Sequence, residues 1–245
     1  MDGQLRDKVA SGVAWSMAEK VGTMLLQLAV SLTILRLLNP AIMGVIAIPT
    51  AFLAVAIVIA DSGFSQALIR KGTPTADDYK SVFAFNVGVA LVLYGVLVAL
   101  AGSIARFYDM PEITRIAPVF FLQLPLSAAC AIQNTIFVRT FRFALLSKVT
   151  FASWFIAGMV AIGLALAGFG IWCIVVQRVL QASVRALLLW WLSDWRPCGK
   201  CSRRPLREMA PYSFSLLATD FISTLYNKAV SYTHLRAHET AANLV

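Results

Sequence analysis

Two arginines stand in the middle of an otherwise apolar run: Arg178 and Arg185, with Gln181 between them, lie in the stretch from Ile171 to Leu192. Their spacing of i, i+3 and i+7 puts all three on one face of a helix. At 1.5 Å per residue the guanidiniums are about 10 Å apart along the axis, and each is about seven residues from the nearer end of the run, a long reach to an interface. An arginine near the centre of a bilayer costs roughly 2.5 to 3.5 kcal/mol on insertion scales, so it needs a partner or a wet cavity. Arginines lining such a cavity would hold an anion, a phosphate or a carboxylate, through paired hydrogen bonds.

The first apolar run repeats the pattern. Lys20, Thr23, Gln27 and Ser31 recur on one face, while Glu19 points about 100° away. Lys20 reads equally as a cavity residue and as an interfacial one. Gln123, Ser127 and Asn134 form a third polar face, in a run that Pro118 and Pro125 can loosen. Small polar groups of this kind also serve as glue between helices. Asp220, the one acid in the segment after Pro211, is a candidate for ion coupling or a partner for an arginine, and Glu19 is a second coupling candidate.

Such residues need membrane helices to position them, and the composition supplies these. Of 245 residues, 59% are hydrophobic and 13% charged, against roughly 25% charged in ordinary globular chains. The mean hydropathy of +0.76 is spread along the whole length, which argues for a polytopic membrane protein. Apolar runs cover Val13 to Leu38, Ala41 to Ala60, Val82 to Ala105, Ile113 to Val138, Val149 to Leu166 and Ile171 to Leu192. None alternates as a barrel strand would, and open sheet edges are not tolerated in lipid, so the fold class is all-α. The organisation read from these runs is a six-helix transmembrane lobe over residues 1–195, a basic loop over 196–210 and the start of a seventh helix and second lobe over 211–229. That leaves no room for a soluble catalytic domain.

Local signals agree with these boundaries. Asn39-Pro40 reads as an N-cap followed by a helix-starting proline. Thr75 to Asp78 has the spacing of a capping box. Gly88, Gly95 and Gly102, at heptad spacing, form a small-residue seam for close helix packing. The first run is too long for the core of a cleavable signal peptide and reads as a retained helix.

The net charge of +9 is first a topology signal. Arg6 and Lys8 precede the first run; Arg70, Lys71 and Lys80, then Arg139, Arg142 and Lys148, then Arg196, Lys200, Arg203, Arg204 and Arg207 occupy the even loops. The odd loops hold Arg36, Arg106 and Arg115. This bias places the N-terminus and the even loops in the cytoplasm of a multi-pass inner-membrane protein. No nucleic-acid partner follows from the charge. Trp15, Trp154, Trp172, Trp190, Trp191 and Trp195 fall near the ends of runs, as interfacial anchors do.

Metal and cofactor chemistry find little support. Cys130 and Cys173 lie inside spans, and Cys198-Gly-Lys-Cys201 is half of a zinc site without a second half. His234 and His238 have the i, i+4 spacing of two ligands on one helix face. The decapeptide that contains them, Ser231 to Thr240, resembles a translated sequencing-adapter scar, so residues 230–245 read as a non-native tail and the chain as a truncated one.

Several stretches together resemble a family: Ala14-Trp15-Ser16, Leu37-Leu38-Asn39-Pro40 continuing to Gly44, Asp61-Ser-Gly-Phe-Ser-Gln-Ala-Leu-Ile-Arg70, and Ser81-Val-Phe-Ala-Phe-Asn86. They are similar to the polysaccharide-transporter branch of the multidrug/oligosaccharidyl-lipid/polysaccharide exporter superfamily, the O-antigen and exopolysaccharide flippases. The resemblance runs over residues 5–228 and is most specific from Asp61 to Arg70. It implies two six-helix lobes around a central cavity, with this chain holding the first. It also implies a substrate, an oligosaccharide on undecaprenyl pyrophosphate, and as partners membrane lipids and other polysaccharide-assembly proteins. Arg178, Arg185 and Lys20 would then supply countercharge to the pyrophosphate, while Asp61 would shape its loop through local hydrogen bonds.

Two rival readings differ in the residues they need. A drug exporter of the same superfamily handles organic cations, so acids should outnumber bases in the cavity, whereas here three membrane bases face Glu19 and Asp220. A membrane glycosyltransferase or polymerase needs a sizeable extramembrane loop carrying catalytic groups. The longest outer loop, near Arg106 to Glu112, is too short for that, and no enzymatic role is expected.

Overall fold

The computed structural model describes residues 2–37, 41–197, 199 and 201–242, with side chains placed at 17, 20–37, 42–197, 199, 201–224 and 226. Every regular element among the described residues is an α-helix: α1 (Asp2–Leu37), α2 (Ala41–Asp61), α3 (Phe64–Arg70), α4 (Ala76–Phe107), α5 (Glu112–Phe120), α6 (Gln123–Arg139), α7 (Phe143–Leu166), α8 (Trp172–Leu192) and α9 (Arg203–Ala242). Among the described residues six stretches are long and apolar enough to cross a membrane: Lys20–Leu37, Ile42–Asp61, Ala76–Phe107, Glu112–Arg139, Phe143–Leu166 and Trp172–Leu192. Their outward faces are apolar, with Met24, Val92, Met159 and Leu187 all more than half exposed, while Ser81, Asn86, Gln133 and Ser153 are buried. Water would not tolerate that surface and lipid does. The chain is a multi-pass membrane protein.

The helices pack in a chain of neighbours. α1 lies on α7, α7 on α8, and α8 on α5 and α6, which in turn pack against α4 and α2; α3 and α9 close the far side. The α1–α7 contact is close because Gly158 lacks a side chain: a Cβ there would lie 2.8 Å from Val30 Cγ2. The seam expected at Gly88, Gly95 and Gly102 is not a packing seam here. Nothing stands within 4 Å of a Cβ at any of them, and Gly88 borders an open groove beside Phe85 and Val92. Heptad spacing defines a face but not what stands opposite it.

Several helices begin ahead of their apolar runs, α1 at Asp2 and α7 at Phe143 among them, and two further differences change the architecture. The fourth span is two helices with a break at Phe121 and Leu122. Pro125 cannot donate to the Phe121 carbonyl, which instead accepts from Leu124 N at 2.9 Å, a tighter turn than an α-helix makes. The last helix begins at Arg203, ahead of Pro211, which sits inside it. The stretch from Arg203 to Ala210 is therefore helical, not part of a loop. By contrast, the capping box forms as read: Thr75 Oγ1 accepts from Asp78 N at 3.3 Å and Asp78 Oδ2 accepts from Thr75 N at 2.7 Å. Asn39-Pro40, Cys198 and the side chains of Trp15, Glu19, His234 and His238 lie outside the described residues.

The basic end of the bundle is fastened by the residues that the charge bias had marked. Arg139, in the last turn of α6, donates to the carbonyls of Leu68, Ile69, Lys71 and Gly72 at 2.5, 2.8, 2.7 and 3.0 Å. It thereby caps α3, whose last carbonyls lack partners within their own helix. Lys71 pairs with Asp78 at 2.9 Å and Glu208 at 3.6 Å, joining α3, α4 and α9. Lys80 Nζ donates to the Gly199 carbonyl at 2.5 Å, and Ser202 N to Ser81 Oγ at 3.0 Å. Trp190 is no lipid anchor: its Nε1 donates to the Ala129 carbonyl at 3.0 Å and its ring packs on Phe83 and Trp195. Trp191, 79% exposed, does face outward.

Candidate functional site

The arginines of α8 share a face but not a neighbour. Arg178 lies over the ring of Trp154 on α7, 5.6 Å from its centroid. Arg185 reaches the other way, donating from Nη2 to Asn134 Oδ1 of α6 at 3.1 Å. Its Nε is buried without a partner. Among the described residues neither guanidinium meets a carboxylate. Two positive charges are thus held between α6, α7 and α8 by an aromatic face and an amide, groups that stabilise a cation without neutralising it.

The other expected cavity residues are spread around these. Gln181 is half-buried on α8. Gln123, at the start of α6, donates from Nε2 to the Phe120 carbonyl at 2.7 Å and so closes the helix break. Lys20 is exposed and Gln27 half-buried on α1, which packs chiefly against α7. The Lys20 face is not uniform, since Thr23 is buried and Ser31 exposed.

A second polar centre surrounds Asp61, where α2 ends. Ser62 and Gly63 follow with φ of 49° and 73°, left-handed values that turn the chain sharply into α3. Glycine is needed at the second position for a further reason: a Cβ would lie 2.7 Å from the Ser213 carbonyl oxygen of α9. Asp61 Oδ1 accepts from Ser65 Oγ in the first turn of α3 and from Asn86 Nδ2 of α4 at 3.3 Å. One residue along, Gln66 Nε2 donates to Asp220 Oδ2 of α9 at 3.4 Å. Asp61 thus has the expected local partner in Ser65 and a long-range one in Asn86. Sequence reasoning quoted Asn86 only as the end of a motif. The signal was available, because an amide inside the apolar run from Val82 to Ala105 meets the same test that selected Gln123 and Asn134.

The fold and its polar interior define a class: a multi-pass helical membrane protein that keeps ionisable and amide groups between its spans. The chain belongs to the family described as polysaccharide biosynthesis protein, whose model matches residues 33–232. It is similar to the succinoglycan biosynthesis transport protein ExoT of Rhizobium meliloti (strain 1021), at 26% identity over 212 residues, covering 86% of this chain and 43% of that protein. It is also similar to an uncharacterized membrane protein in the cps region of Klebsiella pneumoniae, at 21% identity over 233 residues, 93% of this chain and 47% of that one. The chain spans about half the length of the curated relatives it matches. No solved structure matches it.

Proposed function

We propose that the protein serves polysaccharide export by moving an oligosaccharide, carried on undecaprenyl pyrophosphate, from the inner to the outer leaflet of the cytoplasmic membrane. Family membership and the transport role in the name of the Rhizobium meliloti relative support the class of activity. The observation that carries the substrate reading is the pair of guanidiniums inside a span, Arg178 and Arg185, which meet no carboxylate among the described residues. A pyrophosphate would complete the charge they lack, and the buried, unpaired Nε of Arg185 is a donor left over for it. Gln181, Gln123, Asn134, Gln27 and Lys20 are the polar groups a sugar would meet along the same path. Rocking of this lobe against a second one would expose the cavity to each leaflet in turn.

The positive-inside bias sets the basic end, with the N-terminus, in the cytoplasm. Export of an organic cation, the alternative, would have to pass two arginines that repel it. Disrupting the gene in its host tests the reading. Surface polysaccharide should be lost and the lipid-linked repeat should accumulate in the inner leaflet; unchanged surface polysaccharide would overturn the function. Complementation with Arg178→Ala/Arg185→Ala should fail although the protein inserts normally, and full restoration would remove the arginines from the substrate path.

A further inference from the structure

The basic end of α9 sets two arginines above an apolar groove. Arg203 and Arg207 are exposed, and among the described residues neither meets a carboxylate. Glu208, next to Arg207 in sequence, turns to Lys71 and Arg204 instead. At about 100° per residue, Arg203 and Arg207 share a face with Phe214, Ala218 and Phe221, all five within roughly 60° of one another. Pro205 and Met209, both buried, lie on the opposite side of the helix, against the bundle. Phe214, Leu217, Ala218 and Phe221 line a groove of about 280 Å³ with Ile59 of α2, and its walls are apolar throughout. Phe214 is 72% exposed, so the groove opens to the surroundings. Ile59 belongs to the span Ile42–Asp61, close to the end that the charge bias sets in the cytoplasm.

The spacing fits one kind of molecule. Seven residues separate Arg207 from Phe214, about 10 Å along the helix, and a headgroup layer is about 5 to 7 Å deep on each side of the hydrocarbon. With the groove at the depth of the acyl chains, the guanidiniums on their long stems stand at the level of the phosphates. Two guanidiniums without a carboxylate call for an anion, which each can hold through paired hydrogen bonds. The groove below them calls for a hydrocarbon chain. A polar solute has no use for the groove, and an apolar protein surface has none for the charges. We propose that α2 and α9 form a binding site for an anionic glycerophospholipid of the cytoplasmic leaflet, its phosphate on Arg203 and Arg207 and an acyl chain along Ile59, Phe214 and Phe221. Basic pockets between helices on this side of a membrane take such headgroups. The lipid would fasten α9 to α2 beside the close contact of Gly63 with Ser213. The site is independent of the polysaccharide reading.

The test is thermal unfolding of the purified, delipidated full chain in non-ionic detergent, with phosphatidylglycerol or phosphatidylethanolamine of the same acyl chains added. Phosphatidylglycerol should raise the midpoint saturably. Phosphatidylethanolamine, whose ammonium offsets its phosphate, should need a several-fold higher concentration. Arg203→Gln/Arg207→Gln should raise the phosphatidylglycerol concentration for half effect several-fold, and so should Ala218→Phe, which fills the groove. Arg142→Gln removes an exposed charge between α6 and α7, at the same end of the bundle but off α9, and should leave that concentration unchanged. If Ala218→Phe does not fold, Phe214→Trp decides the matter: phosphatidylglycerol with brominated chains should quench the added fluorescence at a several-fold lower concentration than brominated phosphatidylethanolamine does. Equal responses to the two lipids, or none, would overturn the proposal. An effect of Arg142→Gln as large as that of Arg203→Gln/Arg207→Gln would overturn it too, by leaving only net charge at work. So would stabilisation by undecaprenyl phosphate but not by phosphatidylglycerol, which would put a polyprenyl chain in the groove.

Discussion

Gly63 and Ser213 meet backbone to backbone, with the Gly63 Cα so close to α9 that a Cβ would stand 2.7 Å from the Ser213 carbonyl oxygen. The same glycine has a φ of 73°. Gly63→Ala therefore meets both a left-handed backbone and a carbonyl that belongs to a helix and cannot swing aside. We expect a loss of about 2 to 4 kcal/mol, adding the conformational cost to that of overpacking. Reversible unfolding in mixed micelles measures it, and a change under about 0.5 kcal/mol would mean that α9 does not press on the turn in the folded protein.

Arg139 holds the end of α3 by four carbonyls. Arg139→Gln keeps a donor but cannot span them. α3 should then fray at its C-terminus, and trypsin should cut after Arg70 and Lys71 several-fold faster than in the wild-type chain. Arg139→Lys, with a point charge in place of the planar fork, should fall between the two. Equal cleavage rates for all three would exclude the capping role.

Asp78 and Glu208 both pair with Lys71, at 2.9 and 3.6 Å, but differ in burial: their side chains are 4% and 50% exposed. Asp78 also completes the capping box of α4. Asp78→Ala should cost about 1 to 2 kcal/mol through the lost cap, whereas Glu208→Ala should cost no more than about 0.5 kcal/mol, as exposed ion pairs do. Equal effects on the unfolding midpoint would contradict this ordering.

Arg185 and Asn134 form one unit between α8 and α6. Asn134→Leu strands the guanidinium, at about 1 to 3 kcal/mol. Arg185→Leu/Asn134→Leu should then be less harmful than the two single losses added together, by more than about 0.5 kcal/mol. Strict additivity in the double-mutant cycle would show that the 3.1 Å contact contributes nothing.

The spans were legible because hydropathy acts over 18 or more residues, and the capping box because Thr75 and Asp78 are three residues apart. What the sequence could not show was which surfaces meet. The i, i+7 spacing of Arg178 and Arg185 placed them on one face of α8, yet one looks to α7 and the other to α6, because a face about 10 Å long passes more than one neighbour. Asp61 and Asn86 are 25 residues apart and Gln66 and Asp220 are 154 apart, separations that no periodicity reports. The basic stretch ahead of Pro211 reads as a loop because it is charged, but the helix already begins at Arg203 and runs through the proline.

The break at Phe121 and Leu122 divides one crossing of the membrane into two short rods, α5 and α6, joined by an elbow. A straight helix transmits a push from one end to the other; a jointed one lets each half follow its own neighbours. α6 carries Asn134 and Ser127 and is tied at its far end to α3, while α5 lies against α4 and α8. α6 thus touches both polar centres, at Asn134 through Arg185 and at Ser127 beside Asp61, and the elbow at Phe121 and Leu122 sets α5 apart from that half of the span.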